Sequence, residues 1–380
     1  MSTSASPSAP GHVESSSSPT FCSIDGVSVP AVYSSLEAEY HCIRERIAIS
    51  DQSHFGKFHI SGSQAVDFLS YVNLPDIARL AIGKTASSFL LTEEGGVFCE
   101  CYVIASGDSY LLLTEGKSRN EVATYLEKYI GGFEASIRDI TENYSLFELD
   151  GPYAWEVLKD LIGVKILGLR YLETLENQRI GGATVQILRG GKTGEFGYCL
   201  IVSKEEAAQC WEAILQAGER YQMLPVGFSA LDLCRLENRF PNLRLDCANV
   251  ANPFEMNCRV MFDREKDDHL GRSSIEALQA EGPAKRLVGF VVQDDSQKAP
   301  EIGSKILMAS EAVGEVVNSG FSFMLGKPIG LALIANELAY VGLEFALDGG
   351  ATKISTVSAP FIYNKSMEIR PQEHSFHSRN

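Results

Sequence analysis

The sequence predicts an α+β protein with a small, separate antiparallel barrel or sandwich at its C-terminal end. Three observations carry that prediction. Helical and strand-like stretches run in the order helix, strands, helix, strands, not as regular βαβ alternation. The cycle occurs twice, the second time over residues ~141–245. From about Leu287 the chain turns into short β-prone runs split by Gly, Pro and Asp.

Each element has a local reason. EYHCIRERIAISDQS reads as a helix running into a turn, and KFHISG alternates as a strand does. SQAVDFLSYVNL reads as a helix opened by Ser63 as its cap. SSFLLT, GGVFCECYVIAS and SYLLLTEG are strands, separated by the turn residues Glu94-Gly95-Gly96 and Ser106-Gly107-Asp108. RNEVATYLEKYI then has helical spacing. In the second cycle YSLFELD, TVQILRG and GYCLIV are strands, while AWEVLKDLI and EEAAQCWEAILQAG are helices. LVGFVVQ, KILMA, EAVGEVVNSG, IGLALI and ISTVSAPFIY make up the C-terminal β unit. The expected division is a disordered arm over residues 1–25, a main domain over 26–284, the β unit over 285–368 and a frayed tail over 369–380. The arm is Ser/Pro/Ala-rich and too poor in large apolar groups to offset the entropy of ordering. It has neither an Arg cluster nor an apolar stretch of the kind that marks a targeting signal.

Bulk properties narrow the function. The 380 residues are 45% hydrophobic and 22% charged, with a formal net charge of -16 and a pI near 5.0. That balance speaks against a nucleic-acid partner, since neutralising phosphates takes surplus Lys and Arg, and against an anionic membrane surface. No apolar run approaches the roughly 20 residues a membrane helix needs. Nine scattered cysteines do not form a disulfide framework, and Cys99 and Cys101 lack the second pair a zinc site requires. Reduced thiols in a cytoplasmic protein without a metal are the expectation.

Several segments then carry a resemblance. DQSHFGK (51–57), LTEEGGVFCECYV (91–103), RGGKTGEFG (189–197), ALDLCRLE (230–237), NPFE (252–255) followed by LGR (270–272), and the stretch from Gly314 to Gly330 stand in one order along the chain. They resemble D-V-S-H-M-G-K, L-N-x-x-G-G, R-T-G-Y-T-G-E-D-G, A-R-D-x-L-R-L-E, N-P-x-E and the C-terminal glycines of the aminomethyltransferase family, typified by the T-protein of the glycine cleavage system. The match extends from about residue 30 to 365. The resemblance implies three subdomains around a central folate channel, the last being the barrel. It also implies transfer of a one-carbon unit between a small donor and tetrahydrofolate, without a metal or covalent enzyme intermediate. Catalysis would then rest on positioning and on a carboxylate that steadies developing charge.

By the same resemblance, two adjacent carboxylates belong on the strand around residue 100. Here those positions are Cys99 and Glu100. Strand alternation puts Phe98, Glu100 and Tyr102 on one face and Val97, Cys99 and Cys101 on the other, so only one of the two faces the channel. Either Glu100 keeps the catalytic role or the Cys99 thiol has inherited it; otherwise Glu100 is a solvated strand residue. Glu195, in the intact Thr193-Gly194-Glu195, would pair with the pterin as only a carboxylate does well; the alternative is a hairpin turn with its Glu in water. Arg235 would meet the pterin side or glutamate tail of folate, or else salt-bridge to Asp232 or Glu237. His54 reads as a structural histidine at the end of the first helix. Tyr102, Ser87, Thr114 and Lys192 complete the expected folate-binding set, although three of them depart from the family pattern. Ser87 and Lys192 stand where tyrosines belong, and Thr114 stands where an Asn belongs. Thr92 replaces the Asn of L-N, and the Gly-Trp and Pro-x-x-Tyr of the N-terminal segment are reduced to DGVSVPAVYSS.

These departures suit a divergent one-carbon transferase, a demethylase of a methylated small molecule more than the carrier-dependent T-protein. A carrier protein is not expected, and the chain would act as a monomer or homodimer. Two other readings stay open. One is a non-catalytic folate-binding or repair factor, although the K-G-C-[YW]-x-G-Q-E motif of that branch is absent. The other is a relative that acts without folate.

Overall fold

The computed structural model describes residues 18–246, 250, 252–258, 266, 268–294, 297–348 and 352–378. The fold is α+β in three lobes, the last a closed six-stranded antiparallel barrel.

In the first lobe, five antiparallel strands lie in the spatial order Thr85–Leu91, Val97–Ser106, Ser109–Glu115, Gly56–Ser61, Ser136–Asp139. Helices Ala65–Val72 and Arg119–Ile130 cover one face, burying Phe68, Leu69, Val122 and Leu126 against Cys99, Cys101 and Val103. Ser118 and Glu121 cap the second helix reciprocally, satisfying backbone N–H groups at its start. The first helix is not capped by Ser63, whose hydroxyl donates to Glu134 Oε2 at 2.8 Å.

The second lobe has six strands in the order Thr174–Ile180, Ala183–Leu188, Gly197–Ser203, Tyr144–Asp150, Ala48–Asp51, Leu224–Pro225. Ala48–Asp51 corrects the expectation of one helix running from residue 39 into a turn. Helix Leu36–Glu45 ends earlier, and Ile47 and Ile49 enter the second lobe's core instead. The two cycles are therefore not two independent blocks. Trp155, Val157 and Leu158 of helix Ala154–Ile162 pack in that core with Trp211 and Ile214 of helix Ala207–Gly218.

The barrel closes in the order Lys285–Val292, Lys327–Ala335, Glu311–Ser322, Lys305–Met308, Glu344–Leu347, Lys353–Val357. Glu344–Leu347 is a strand that pattern reading did not anticipate.

Both tails depart from expectation where they are described. Thr20–Ile24, inside the expected disordered arm, pairs antiparallel with Val27–Val32, and Ile24 and Val29 are buried. Residues 1–17 of that arm lie outside the described residues. At the other end Phe376 inserts among Tyr153, Tyr221 and the second lobe's core, and its backbone N–H donates to Glu156 Oε1. One buried aromatic is enough to dock a tail that its polar composition makes look frayed. Cys247 lies outside the described residues, and the other eight cysteines are free thiols.

Candidate functional site

The free faces of the two sheets approach each other, and helix Phe228–Asn238 closes the cleft between them. Strand alternation decides what the first sheet contributes. Cys99 and Cys101 point into the apolar core under the helices, where burial drives both thiols far above their ordinary range. A neutral, enclosed thiol offers no nucleophile. Glu100 and Tyr102 point the other way, toward the second lobe. Phe98 does not share their face as simple alternation requires. The partner register steps from Leu90↔Cys99 to Leu91↔Val97, leaving Phe98 in a bulge, stacked on Tyr125 at 4.3 Å.

Glu100 is part of a closed ring of charges. Its Oε1 lies 2.8 Å from Lys192 Nζ, and its Oε2 accepts from Arg235 Nη2. Across the strand pair sits Glu115, whose Oε2 and Oε1 are each 2.6 Å from Lys192 Nζ and Arg235 Nη1. Two carboxylates and two cations thus alternate, each acid touching both bases. Burial alone would raise the Glu115 carboxyl, but Arg235 and Lys192 outweigh it and hold that group well below the usual range. Burial likewise opposes the charge on Lys192, while Glu100 and Glu115 raise its pKa. The Lys192 ammonium also stands 5.3 Å from the Tyr102 ring centroid.

Other expected residues are distributed differently. Thr114 opposes Cys101 and so lies on the core side, where its Oγ1 has no hydrogen-bond partner among the described residues. Ser87 opposes Tyr102 and shares its cleft-side face. Glu195 is turned out of the ring: its Oε2 accepts from Ser366 N at 2.8 Å and Ser366 Oγ at 2.5 Å, and Arg44 Nη1 is 3.6 Å away. The turn that aims it needs Gly194, at φ +85°, where a Cβ would stand 2.3 Å from Asn238 Oδ1. Arg235 pairs with neither Asp232 nor Glu237. Asp232 pairs with Arg244 at 2.7 Å. Glu237 accepts from Arg44, Tyr40 and Ser322 in a buried structural network. His54 sits between two strands, not at a helix end. It lies edge-on to Phe55 and Phe228 at 4.9 and 5.0 Å, and burial lowers its pKa to about 4.

Sequence reading missed Glu115, Glu148, Asp150 and Arg244, all of which line the cleft. Glu115 carried a signal: pairing Ser106 with Ser109 across the Gly107-Asp108 turn sets it opposite Glu100. Glu148 and Asp150 carried none, because on an isolated strand they read as the solvent face. Among the described residues no group of three or more His, Cys, Asp or Glu is arranged to hold a metal, and no helix is long and apolar enough to cross a membrane.

Comparison with known proteins agrees with this architecture. Residues 14–266 match the GCVT N-terminal domain, and residues 285–362 match the glycine cleavage T-protein C-terminal barrel domain. An aminomethyltransferase of Symbiobacterium thermophilum is 30% identical over 346 residues, covering 88% of this chain and 92% of that protein. One of Saccharopolyspora erythraea is 29% identical over 347 residues, covering 90% and 94%. The crystal structure of the glycine cleavage system aminomethyltransferase T from Bartonella henselae shares the fold, with a TM-score of 0.80 at 24% identity over 91% of this chain and 96% of that one. With the N-terminal family domain spanning most of the two α+β lobes and the barrel domain following it, the chain belongs to the glycine cleavage T-protein (GCVT) family.

Proposed function

We propose that the chain is a tetrahydrofolate-dependent one-carbon transferase, moving a methyl or methylene group between a small donor and folate, with Glu100 as the acid in the cleft. The observation that carries this reading is the aim and setting of Glu100. Its carboxylate lies against Lys192 and Arg235, which line the cleft between the lobes, and each oxygen spends one interaction on the ring. An ionised carboxylate has about four lone-pair sites, so acceptor capacity remains for a reacting group. Lys192 and Arg235 fix the orientation of Glu100, and fixed charges need no reorganisation as charge develops nearby. Phe55, Tyr102 and Phe228 line the same cleft and suit a flat heteroaromatic ring. Tetrahydrofolate, when bound, supplies the nitrogen that accepts or gives up the carbon; the chain's residues position it, exclude water and steady charge.

A second reading, a relative acting without folate, draws support from Glu195. The carboxylate expected to hold the pterin is committed to Ser366, and Lys192 adds a cation to the cleft. Titrating tetrahydrofolate into the purified chain under anaerobic conditions separates the two. The transferase reading expects saturable binding that Glu100→Gln retains. Absence of binding leaves only the second reading.

A further inference from the structure

The ring leaves two carboxylates of the cleft unused. Glu148 and Asp150 lie two residues apart on the strand Tyr144–Asp150, so both project from the same face. They are 7% and 1% exposed. Each accepts one side-chain hydrogen bond from a neutral donor: Glu148 Oε2 from Gln52 Nε2, and Asp150 Oδ1 from Thr193 Oγ1 at 2.7 Å. Neither forms an ion pair among the described residues.

The charges lining the cleft do not balance. Lys192 and Arg235 are consumed by Glu100 and Glu115, and Arg244 is consumed by Asp232. Among the described residues no cation pairs with Glu148 or Asp150; the charges of Lys192 and Arg235 reach Glu148, and that of Arg44 reaches Asp150, only from a distance. A buried carboxylate without a partner costs several kcal/mol when ionised, and the pair responds accordingly. Burial raises both carboxyls above their usual range, and the neighbouring Asp150 raises Glu148 further. Gly191, at φ +127°, keeps the gap beside them open: a Cβ there would stand 3.0 Å from Glu148 Oε1 and 3.4 Å from Asp150 Oδ1. Phe55, Phe228 and Tyr102 line the same cleft, and aromatic faces attract cations.

We infer that Glu148 and Asp150 form a subsite for a small organic cation, the ammonium or sulfonium headgroup of the one-carbon donor. One monovalent cation and one proton held by the pair neutralise the two carboxylates, whereas a neutral donor leaves both charges to protons. The word donor rests on the transferase reading; the cation site does not.

The test uses the full chain, tetramethylammonium chloride as probe, and tert-butanol as its neutral counterpart at matched ionic strength. Binding is read by calorimetry and by the shift in melting temperature. The expected result is saturable tetramethylammonium binding, weakened about tenfold or more in the isosteric Glu148→Gln/Asp150→Asn variant, with tert-butanol inert. The tetrahydrofolate dissociation constant of that variant should stay within about twofold of the parent, a difference below 0.5 kcal/mol. If the double variant does not fold, Glu148→Gln alone, which keeps an acceptor for Gln52, carries the same test. Equal tetramethylammonium affinity in parent and variant overturns the inference, as does no binding by the parent or equivalent binding of Mg²⁺. Loss of tetrahydrofolate binding in the variant also overturns it, by reassigning the pair to the pterin's N–H edge. Cation binding without any tetrahydrofolate binding by the parent would sink the transferase reading and leave the subsite standing.

Discussion

Replacing Lys192 with methionine removes one corner of the charge ring while keeping most of the side-chain volume. Lys192 makes two of the ring's four contacts, at 2.8 Å to Glu100 and 2.6 Å to Glu115, and its side chain is 16% exposed. Among the described residues Arg235 then remains as the one cation paired with the two buried carboxylates, leaving about one negative charge without a paired partner. Removing one partner of a buried pair costs about 3–5 kcal/mol, and because Arg235 still touches both acids the lower end, about 3 kcal/mol, applies here. Adding Glu115→Gln removes the surplus charge and should recover about half of that loss, which a double-mutant cycle reads directly. Urea unfolding at neutral pH is the assay. Tryptophan fluorescence reports the second lobe, where Trp155 and Trp211 are buried, and circular dichroism reports the whole chain. A Lys192→Met loss below about 0.5 kcal/mol, the size of an ordinary surface change, would refute the ring as a buried, mutually dependent unit.

Further expectations follow from individual side chains. Glu100→Gln should lower turnover about 10²-fold with folate affinity nearly retained, whereas Cys99→Ala should lower stability and spare the rate per folded molecule; steady-state kinetics on both variants checks this, and the reverse pattern would move the chemistry to the thiol. Glu195→Gln should cost about 1–3 kcal/mol by loosening its hold on Ser366, as read by thermal unfolding, and an unchanged melting curve would contradict that anchoring role. Glu148 and Asp150 keep protons above the ordinary carboxylate range, so above about pH 4 the folded chain binds more protons than the unfolded one. Their contribution to stability is therefore lost as pH rises through their raised values, and Glu148→Gln should flatten that part of a stability-against-pH curve.

Much of the fold was legible because local signals agreed with it. The turn at Ser106-Gly107-Asp108, the alternation of GGVFCECYVIAS and the helical spacing of RNEVATYLEKYI each match the observed elements. The apolar run at residues 47–49 misled because it follows a helix directly, while its real partner, Leu149, lies 100 residues away in pairing with Ile49. Alternation also sorted Glu100 and Tyr102 from Cys99 and Cys101, but missed Phe98, since a bulge depends on the neighbouring strand as much as on its own sequence. The site was less legible because its partnerships are long-range. Glu195 meets Ser366 across 171 positions, and Arg235 meets Glu100 across 135. Glu148 and Asp150 look solvent-facing until a second sheet covers them.

The most direct measurement follows folate itself. Purified chain is mixed anaerobically with tetrahydrofolate and a series of N-methyl and S-methyl cations, and the folate pool is read by mass spectrometry. Conversion to 5-methyltetrahydrofolate by the parent chain, with release of the demethylated donor and falling about 10²-fold in Glu100→Gln, is the predicted result. Equal conversion by parent and Glu100→Gln, or a folate pool left unchanged by every donor, would contradict a one-carbon transferase built around Glu100.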